Sequence, residues 1–306
     1  MNIVRAEDYH VPVMLQECLE GMQLRPEGCY VDVTFGGGGH SRAILKELQG
    51  AGMLYSFDQD PDAAARAPQQ PCFTFIASNF RHLARFMDYY DRLGQVDAIL
   101  ADLGVSSHHF DAMERGFSFR DETPLLDMRM NNRAGLSARD LLNSYEEEQL
   151  ADVLYRYGEL KQSRSLAKLI VKARSAAPLQ TVGDLIAALR PALRPDQEKK
   201  LLACIFQALR IEVNGELKAL EELLEASLRV LRPGGRLVVM TYHSLEDRIV
   251  KNFLKGTDDS AEAQIYGTAR SAWRLITRKP LVASAEELER NPRSRSAKLR
   301  IAERIR

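Results

Sequence analysis

Apolar and polar residues follow two different rhythms along this chain, and the change between them outlines its architecture. Short runs rich in β-branched and aromatic residues recur at Tyr30–Phe35, Met53–Phe57, Phe73–Ala77, Val96–Asp102 and Arg236–Tyr242, and they predict five strands. The first four alternate with helical segments at short spacing, the pattern of βαβ units around a parallel sheet. About 130 residues then separate the fourth run from the fifth, far more than a crossover needs. A further unit is expected in that gap.

Inside the gap the period becomes helical. Ser144-Tyr145-Glu146-Glu147 reads as a capping box before Leu150, Val153, Leu154 and Tyr157, which share one helical face. Further helices are predicted from about Ser163 (Leu166, Leu169, Ile170), from Thr181 (Leu185, Ile186, Leu189) and from near Asp196 (Leu201, Leu202, Ile205, Phe206, Leu209). A last one, Glu216–Leu231, stops at Pro233-Gly234-Gly235 and feeds the fifth strand. The expected division is an α/β domain in two parts, 1–134 and 214–306, with an all-helical domain inserted at 135–213. Residues 103–133 show no clean periodicity but are dense in Gly, Ser, Phe, Asp, Arg and Met. Leaving the carboxyl end of a sheet strand, such a segment reads as a functional loop.

The sharpest local signal is Tyr30-Val31-Asp32-Val33-Thr34-Phe35-Gly36-Gly37-Gly38-Gly39-His40-Ser41, followed by the helical Ala43-Ile44-Leu45-Lys46-Glu47-Leu48. Strand, glycine turn and helix form the first unit of a doubly wound fold that holds a nucleotide-like ligand. Asp58 ends the second strand 20 residues after Gly38, where an acidic side chain binds ribose hydroxyls of NAD or of S-adenosylmethionine. The glycines alone discriminate poorly between the two. No hydride-transfer partners stand out, and the fourth strand ends in Asp102-Leu103-Gly104, so the local residues favour the methyl donor over the dinucleotide.

Composition adds limits. Apolar residues at 45% and charged residues at 27% are the balance of an ordinary globular protein, and no apolar run reaches the roughly 18 residues of a membrane span. The N-terminal residues carry no apolar signal core, and Cys18, Cys29, Cys72 and Cys204 are scattered. Reduced thiols, a cytoplasmic protein and no zinc site are therefore expected. The formal net charge of zero hides an asymmetry: residues 1–105 hold 8 Lys/Arg against 14 Asp/Glu, and residues 269–306 hold 11 against 4. A basic C-terminal stretch is equally consistent with a polyanion contact and with a solvated tail.

A series of motifs then becomes specific: Tyr9-His10-Val11-Pro12-Val13-Met14, the glycine turn, Asp102-Leu103-Gly104-Val105-Ser106-Ser107, Arg115-Gly116-Phe117-Ser118-Phe119 and Leu126-Asp127-Met128-Arg129-Met130. It continues with Phe206–Asn214, His243-Ser244-Leu245-Glu246-Asp247-Arg248 and Asn291-Pro292-Arg293-Ser294-Arg295-Ser296-Ala297-Lys298-Leu299-Arg300. In this order, from about Tyr9 onward, the chain resembles the bacterial ribosomal RNA small-subunit methyltransferase H (MraW) family. The resemblance implies a Rossmann-like class I methyltransferase sheet with a helical insert. It also implies methyl transfer from S-adenosylmethionine to the exocyclic amine of a cytidine in the 16S rRNA decoding region. The cofactor contacts it implies are Gly38, Gly39, His40, Asp58, Phe80, Asp102 and the position of His109. Three departures stand out: His108-His109-Phe110 where many members have Pro-Gln-Leu, an extra leucine in Pro124-Leu125-Leu126-Asp127, and Leu160 after Tyr157-Gly158-Glu159.

Asp102 is the candidate catalytic residue, a polar organiser beside the methyl donor. Phe117 and Phe119 are candidates to stack a flipped cytosine, against the plainer role of pinning a loop to the core. His243 and Arg248 could meet RNA or form an ion-pair cluster, and Arg293, Arg295, Lys298 and Arg300 read as phosphate contacts. His40 lacks a second ligand at metal spacing, so no metal is expected. The partner implied is 16S rRNA in the small subunit, with neither DNA nor membrane, and a homodimer is left open. A nicotinamide-dependent oxidoreductase and a non-catalytic RNA-binding assembly factor are the competing readings.

Overall fold

Strands β1 (Cys29–Asp32), β2 (Met53–Asp58), β3 (Phe73–Ala77), β4 (Val96–Asp102) and β5 (Leu231–Thr241) lie side by side and parallel, in the order 3-2-1-4-5. The structure is a computed structural model and describes residues 12–104, 115–133, 135–256 and 271–305. Tyr9–Val11, Val105–Ser107 and the proposed cofactor residue His109 lie outside the described residues. The chain divides into two compact units, Met1–Gly104 with Lys218–Arg306, and Val105–Leu217.

In the first unit both faces of the sheet are buried, as a parallel sheet requires. Val31, Val33, Tyr55, Phe57, Ile99, Ala101 and Val239 point to one face, while Tyr30, Leu54, Ala98, Leu100, Val238 and Met240 point to the other, the period-two alternation of a pleated strand. Helices α1 (Leu15–Met22) and α2 (Gly39–Leu48) contribute Cys18, Met22, Ile44 and Leu48 to the second face. The short α3 (Pro61–Ala64) follows β2, and α4 (Leu83–Tyr89) packs Leu83 and Met87 on the first face. Each such side chain contributes roughly 1.5–3 kcal/mol by leaving water.

The second unit holds α5 (Ala138–Ser144), α6 (Glu147–Gly158), α7 (Ser163–Arg174), α8 (Val182–Leu189) and α9 (Glu198–Asn214) around one apolar core. Two of its starts are Ser/Thr–Asp capping boxes, Ser137 with Asp140 and Thr181 with Asp184. The box expected at Ser144–Glu147 falls instead on Glu146 and Gln149. Ser144 closes α5, where its hydroxyl donates to the Asp140 carbonyl at 2.7 Å and is thereby withdrawn from the start of α6. The irregular segment 115–133 also belongs here rather than to the α/β part: Phe117, Leu126 and Met128 are buried in the helical core, and the Asn214 side-chain amide donates to the Met128 carbonyl at 2.8 Å.

The chain returns through α10 (Glu216–Val230), which places Leu220, Leu223 and Leu224 on the first sheet face. β5 begins already at Leu231, and the expected Pro-Gly-Gly break is absorbed as a bulge between the pairs Val96–Leu231 and Ala98–Arg236. After α11 (Ser244–Lys255) come β6 (Trp273–Leu275), α12 (Ala285–Arg290) and β7 (Lys298–Arg304). β7 is antiparallel and lies between β5 and β6, completing a seven-stranded Rossmann-like sheet in the order β3-β2-β1-β4-β5-β7-β6. The basic C-terminal stretch is therefore an interior strand and its connections. Among the described residues, no helix is long and apolar enough to cross a membrane.

Candidate functional site

Three sequence features, the glycine turn after β1, Asp58 ending β2 and Asp102 ending β4, converge at the carboxyl edge of the first unit's sheet, and Tyr242 following β5 joins them there. The turn is held from both sides. Gly36 N–H donates to Asp58 Oδ2 at 2.7 Å, Gly38 N–H donates to the Phe35 carbonyl at 2.7 Å, and the Arg42 guanidinium donates to the Gly37 carbonyl at 2.7 Å. Gly38 is the N-cap of α2 with φ +77°, a left-handed conformation that glycine adopts without strain, and no side chain caps the helix. The first N–H groups of a helix lack intrahelical acceptors, so this end suits an anionic group.

The four glycines differ in what surrounds them. A Cβ added at the exposed Gly37 would meet nothing within 4 Å. One added at Gly39 would stand 2.4 Å from Pro12 Cγ. Gly37 borders open space, whereas Gly39 is required by the segment packed against it.

Behind the turn lies a buried polar network. Asp32 is fully buried and its carboxylate accepts from Ser41 Oγ at 2.6 Å and from Thr34 N–H at 3.1 Å. Ser41 Oγ also meets Ser56 Oγ at 2.8 Å. Thr34 Oγ1 accepts the Asp102 N–H at 2.8 Å, which ties the end of β4 to the turn. Asp102 itself keeps 23% of its side chain exposed. Its Oδ1 accepts the Tyr242 hydroxyl at 2.7 Å, and its Oδ2 stands 3.7 Å from His40 Nδ1, an electrostatic contact rather than a hydrogen bond. The buried His40 ring places Nε2 3.2 Å from the Val13 carbonyl, which can only accept, so that nitrogen is the donor.

Burial pushes the Asp102 carboxyl above the usual carboxylate range. His40 and the Tyr242 hydrogen bond oppose the rise, and Asp32 and Glu246 add to it. Burial likewise raises Asp32, against His40 and the Ser41 and Thr34 donors. Tyr242 is driven far above an ordinary phenol by burial and by Asp102, so its hydroxyl remains a donor. Its ring rests on Gly104, whose φ is +144° and where a Cβ would stand 2.8 Å from Tyr242 Cδ2. That close approach is the physical reason for glycine in Asp102-Leu103-Gly104.

Tyr242 was invisible as a site residue in the sequence; the available signal was its position one residue beyond β5, on the same edge as Asp102. Glu246 also emerges as an organiser: buried, it accepts the Tyr242 N–H at 2.9 Å. His243, a candidate RNA contact, is instead the N-cap of α11 in a reciprocal box with Glu246. Phe80, a candidate cofactor contact, is partly buried after β3 and leans on the first sheet face.

The basic candidates separate. Arg300 is buried on β7, and its guanidinium grips Asp247 of α11 at 2.7 and 3.2 Å, with Lys298 at 3.5 Å from the same carboxylate. Burial alone would raise the Asp247 carboxyl, but Arg300 and Lys298 outweigh it and hold it below its usual range. The expectation that Arg300 meets phosphate is thereby corrected, since a strand position facing α11 turns it inward. Arg248, Arg293 and Arg295 are exposed.

In the second unit Phe117 is 6% exposed within the apolar core, and Phe119 meets Phe206 edge-on at 5.4 Å. Phe117 anchors its loop and has no open face for a base; this overturns its reading as a stacking residue.

Residues 7–305 match the MraW methylase family. The chain belongs to that family. A ribosomal RNA small subunit methyltransferase H of Porphyromonas gingivalis is 64% identical over 303 residues, 97% of each chain. Proteins of the same name from Parabacteroides distasonis and Bacteroides thetaiotaomicron are 61% and 57% identical, each over 97% of this chain and over 98% and 97% of their own. Family membership accounts for the shared order of motifs, of which the glycine turn and Asp102-Leu103-Gly104 meet at the edge just described.

Proposed function

We propose that this protein is a cytoplasmic S-adenosylmethionine-dependent methyltransferase acting on the exocyclic N4 of one cytidine in the decoding region of 16S rRNA. Membership of a methylase family and relatives named for the small-subunit ribosomal RNA support the reaction and the substrate class. The observation that carries the chemistry is Asp102, a carboxylate at the strand edge with its orientation fixed by Tyr242.

The residues present fit the cofactor. The uncapped start of α2 and the gap beside Gly37 suit the amino-acid end, with its carboxylate, and Asp58 beside the turn suits ribose hydroxyls. S-adenosylmethionine, when bound, supplies an electrophilic sulfonium methyl group. A cytosine amine is a poor nucleophile because its lone pair is delocalised into the ring. A carboxylate accepting one of its N–H groups biases the lone pair outward, the role we assign to Asp102. The new N–C bond would form as the sulfonium's methyl–sulfur bond breaks and a neutral thioether leaves; the amine would then be cationic and release one proton, which Asp102 would accept and pass to solvent. A carboxyl with a raised pKa is a better-matched base near neutrality than an ordinary one. Positioning supplies the rest of the acceleration.

Labelled methyl transfer to small subunits isolated from cells lacking the protein tests the reading. The expected product after nuclease digestion is N4-methylcytidine. Label at a ring carbon or a ribose would overturn the assigned acceptor, and calorimetric binding of NADH without binding of S-adenosylmethionine would overturn the cofactor.

A further inference from the structure

The second unit carries a cationic surface that no motif marks. Between Glu159 and Asp184 the chain contains no acidic residue but has Lys161, Arg164, Lys168, Lys172 and Arg174. Arg174 is engaged inside the unit, donating to the Leu142 carbonyl at 2.8 Å. The other four are exposed, and none has an ion-pair partner among the described residues. Arg164, Lys168 and Lys172 stand four apart on α7, so they share a face and span roughly 12 Å at 1.5 Å per residue. Lys161 extends the row into the turn before the helix.

The neighbouring α6 is different: Glu146, Glu147, Glu148 and Asp152 dominate its solvent side, and its Arg156 pairs with Asp152 at 3.4 Å. Three of these cations stand along one helix face and the fourth in the turn before it, with no carboxylate paired to them among the described residues, so the row is complementary to an anionic partner. A bilayer is a poor candidate. The apolar face of α7, Leu166, Ala167 and Ile170, is already buried in the unit's own core and leaves no wedge for acyl chains. A row about 12 Å long matches instead a polymer carrying a charge every few ångströms.

We infer that Lys161, Arg164, Lys168 and Lys172 form a phosphate-tracking surface that grips the RNA backbone of the substrate. This deepens the proposed rRNA reading and rests on it for the identity of the RNA. Such contacts position without reading sequence, so the surface adds affinity while selection of the cytidine lies elsewhere.

The test compares the full-length protein with a Lys161→Gln/Arg164→Gln/Lys168→Gln/Lys172→Gln variant and with a charge-retaining Lys161→Arg/Lys168→Arg/Lys172→Arg variant. Affinity is measured for unmethylated small subunits and for poly(U) between 50 and 200 mM salt, with thermal melts to confirm folding. Each lost phosphate contact lowers the slope of log affinity against log salt by about 0.7–0.9, so the Gln variant is expected to lose about 3 from the slope. Across that salt range the unsubstituted protein then weakens about 60-fold more than the variant. The Arg variant keeps the full slope. Equal slopes for the Gln variant and the unsubstituted protein would overturn the inference, as would loss of binding to poly(Glu) or to phosphatidylglycerol vesicles with RNA affinity intact. Because binding is read without turnover, a reduced slope with no methyl transfer by any of the proteins would sink the proposed reaction and leave the surface standing. Normal N4-methylation with unaltered slopes would do the reverse.

Discussion

Replacing Tyr242 by Phe removes one atom from the site and nothing from its packing. The ring still rests on Gly104, and only the hydroxyl donating to Asp102 Oδ1 at 2.7 Å is lost. A hydrogen bond to a charged acceptor is worth about 1.5–3 kcal/mol, and one pH unit corresponds to 1.36 kcal/mol. Without that donor the already raised Asp102 carboxyl should therefore rise further. The sign follows from the role. Protonated Asp102 cannot accept the amine N–H, so a higher pKa moves the loss of activity on acidification to higher pH. The assay is the single-turnover methylation rate from pH 5 to 9, with cofactor and small subunits saturating. The acid limb of Tyr242→Phe should lie at higher pH than that of the unsubstituted protein, lowering the rate at a pH on that limb by about tenfold or more, with the alkaline plateau reduced only a few-fold. Asp102→Asn should lack the limb and most of the rate. An unmoved limb in Tyr242→Phe would refute the claim that this hydroxyl tunes Asp102. A normal rate in Asp102→Asn would remove Asp102 from the chemistry.

Other outcomes separate structural from functional roles. Arg300→Gln should cost about 2–3 kcal/mol of stability by leaving Asp247 with only Lys298; calorimetric melts at neutral pH check it. Because the Asp247 carboxyl is depressed in the folded state, that stabilisation is present above its unfolded pKa, and the gap between the melts should close as pH falls through the folded value. Phe117→Ala should lower the melting temperature through a cavity costing about 3–5 kcal/mol; an unaltered melt with lost RNA affinity would restore the stacking role. Gly37→Ala should fold normally and weaken S-adenosylmethionine in calorimetry about tenfold or more, while Gly39→Ala should lower the melting temperature because its Cβ meets Pro12. Equal melts for the two glycine variants would contradict this division.

Much of the fold was legible because parallel strands leave unmistakable traces. Val96–Asp102 and Met53–Phe57 are nearly continuous apolar runs, since both faces of the sheet are covered. β7 escaped for the opposite reason. Lys298-Leu-Arg-Ile-Ala-Glu-Arg alternates charge with apolar residues, and its charges are neutralised by Asp247 and by neighbouring strands, partners that only the tertiary fold supplies. The loop 115–133 was assigned to the wrong unit because its anchors, Phe117, Leu126 and Met128, are too widely spaced to show a period. In the site, the glycine turn, Asp58 and Asp102 were readable from strand ends. Tyr242 and Glu246 were not, because their meeting with Asp102 depends on β4 and β5 being neighbours.

Methylation of one cytidine amine in the small-subunit RNA is tested most directly by mass spectrometry of 16S rRNA from cells with and without this gene. A single cytidine in the decoding region is expected to be lighter by one N4-methyl group in the deletion. The mark should return with the intact gene and stay absent with Asp102→Asn. Persistence of the N4-methyl group in the deletion strain would contradict the proposed reaction.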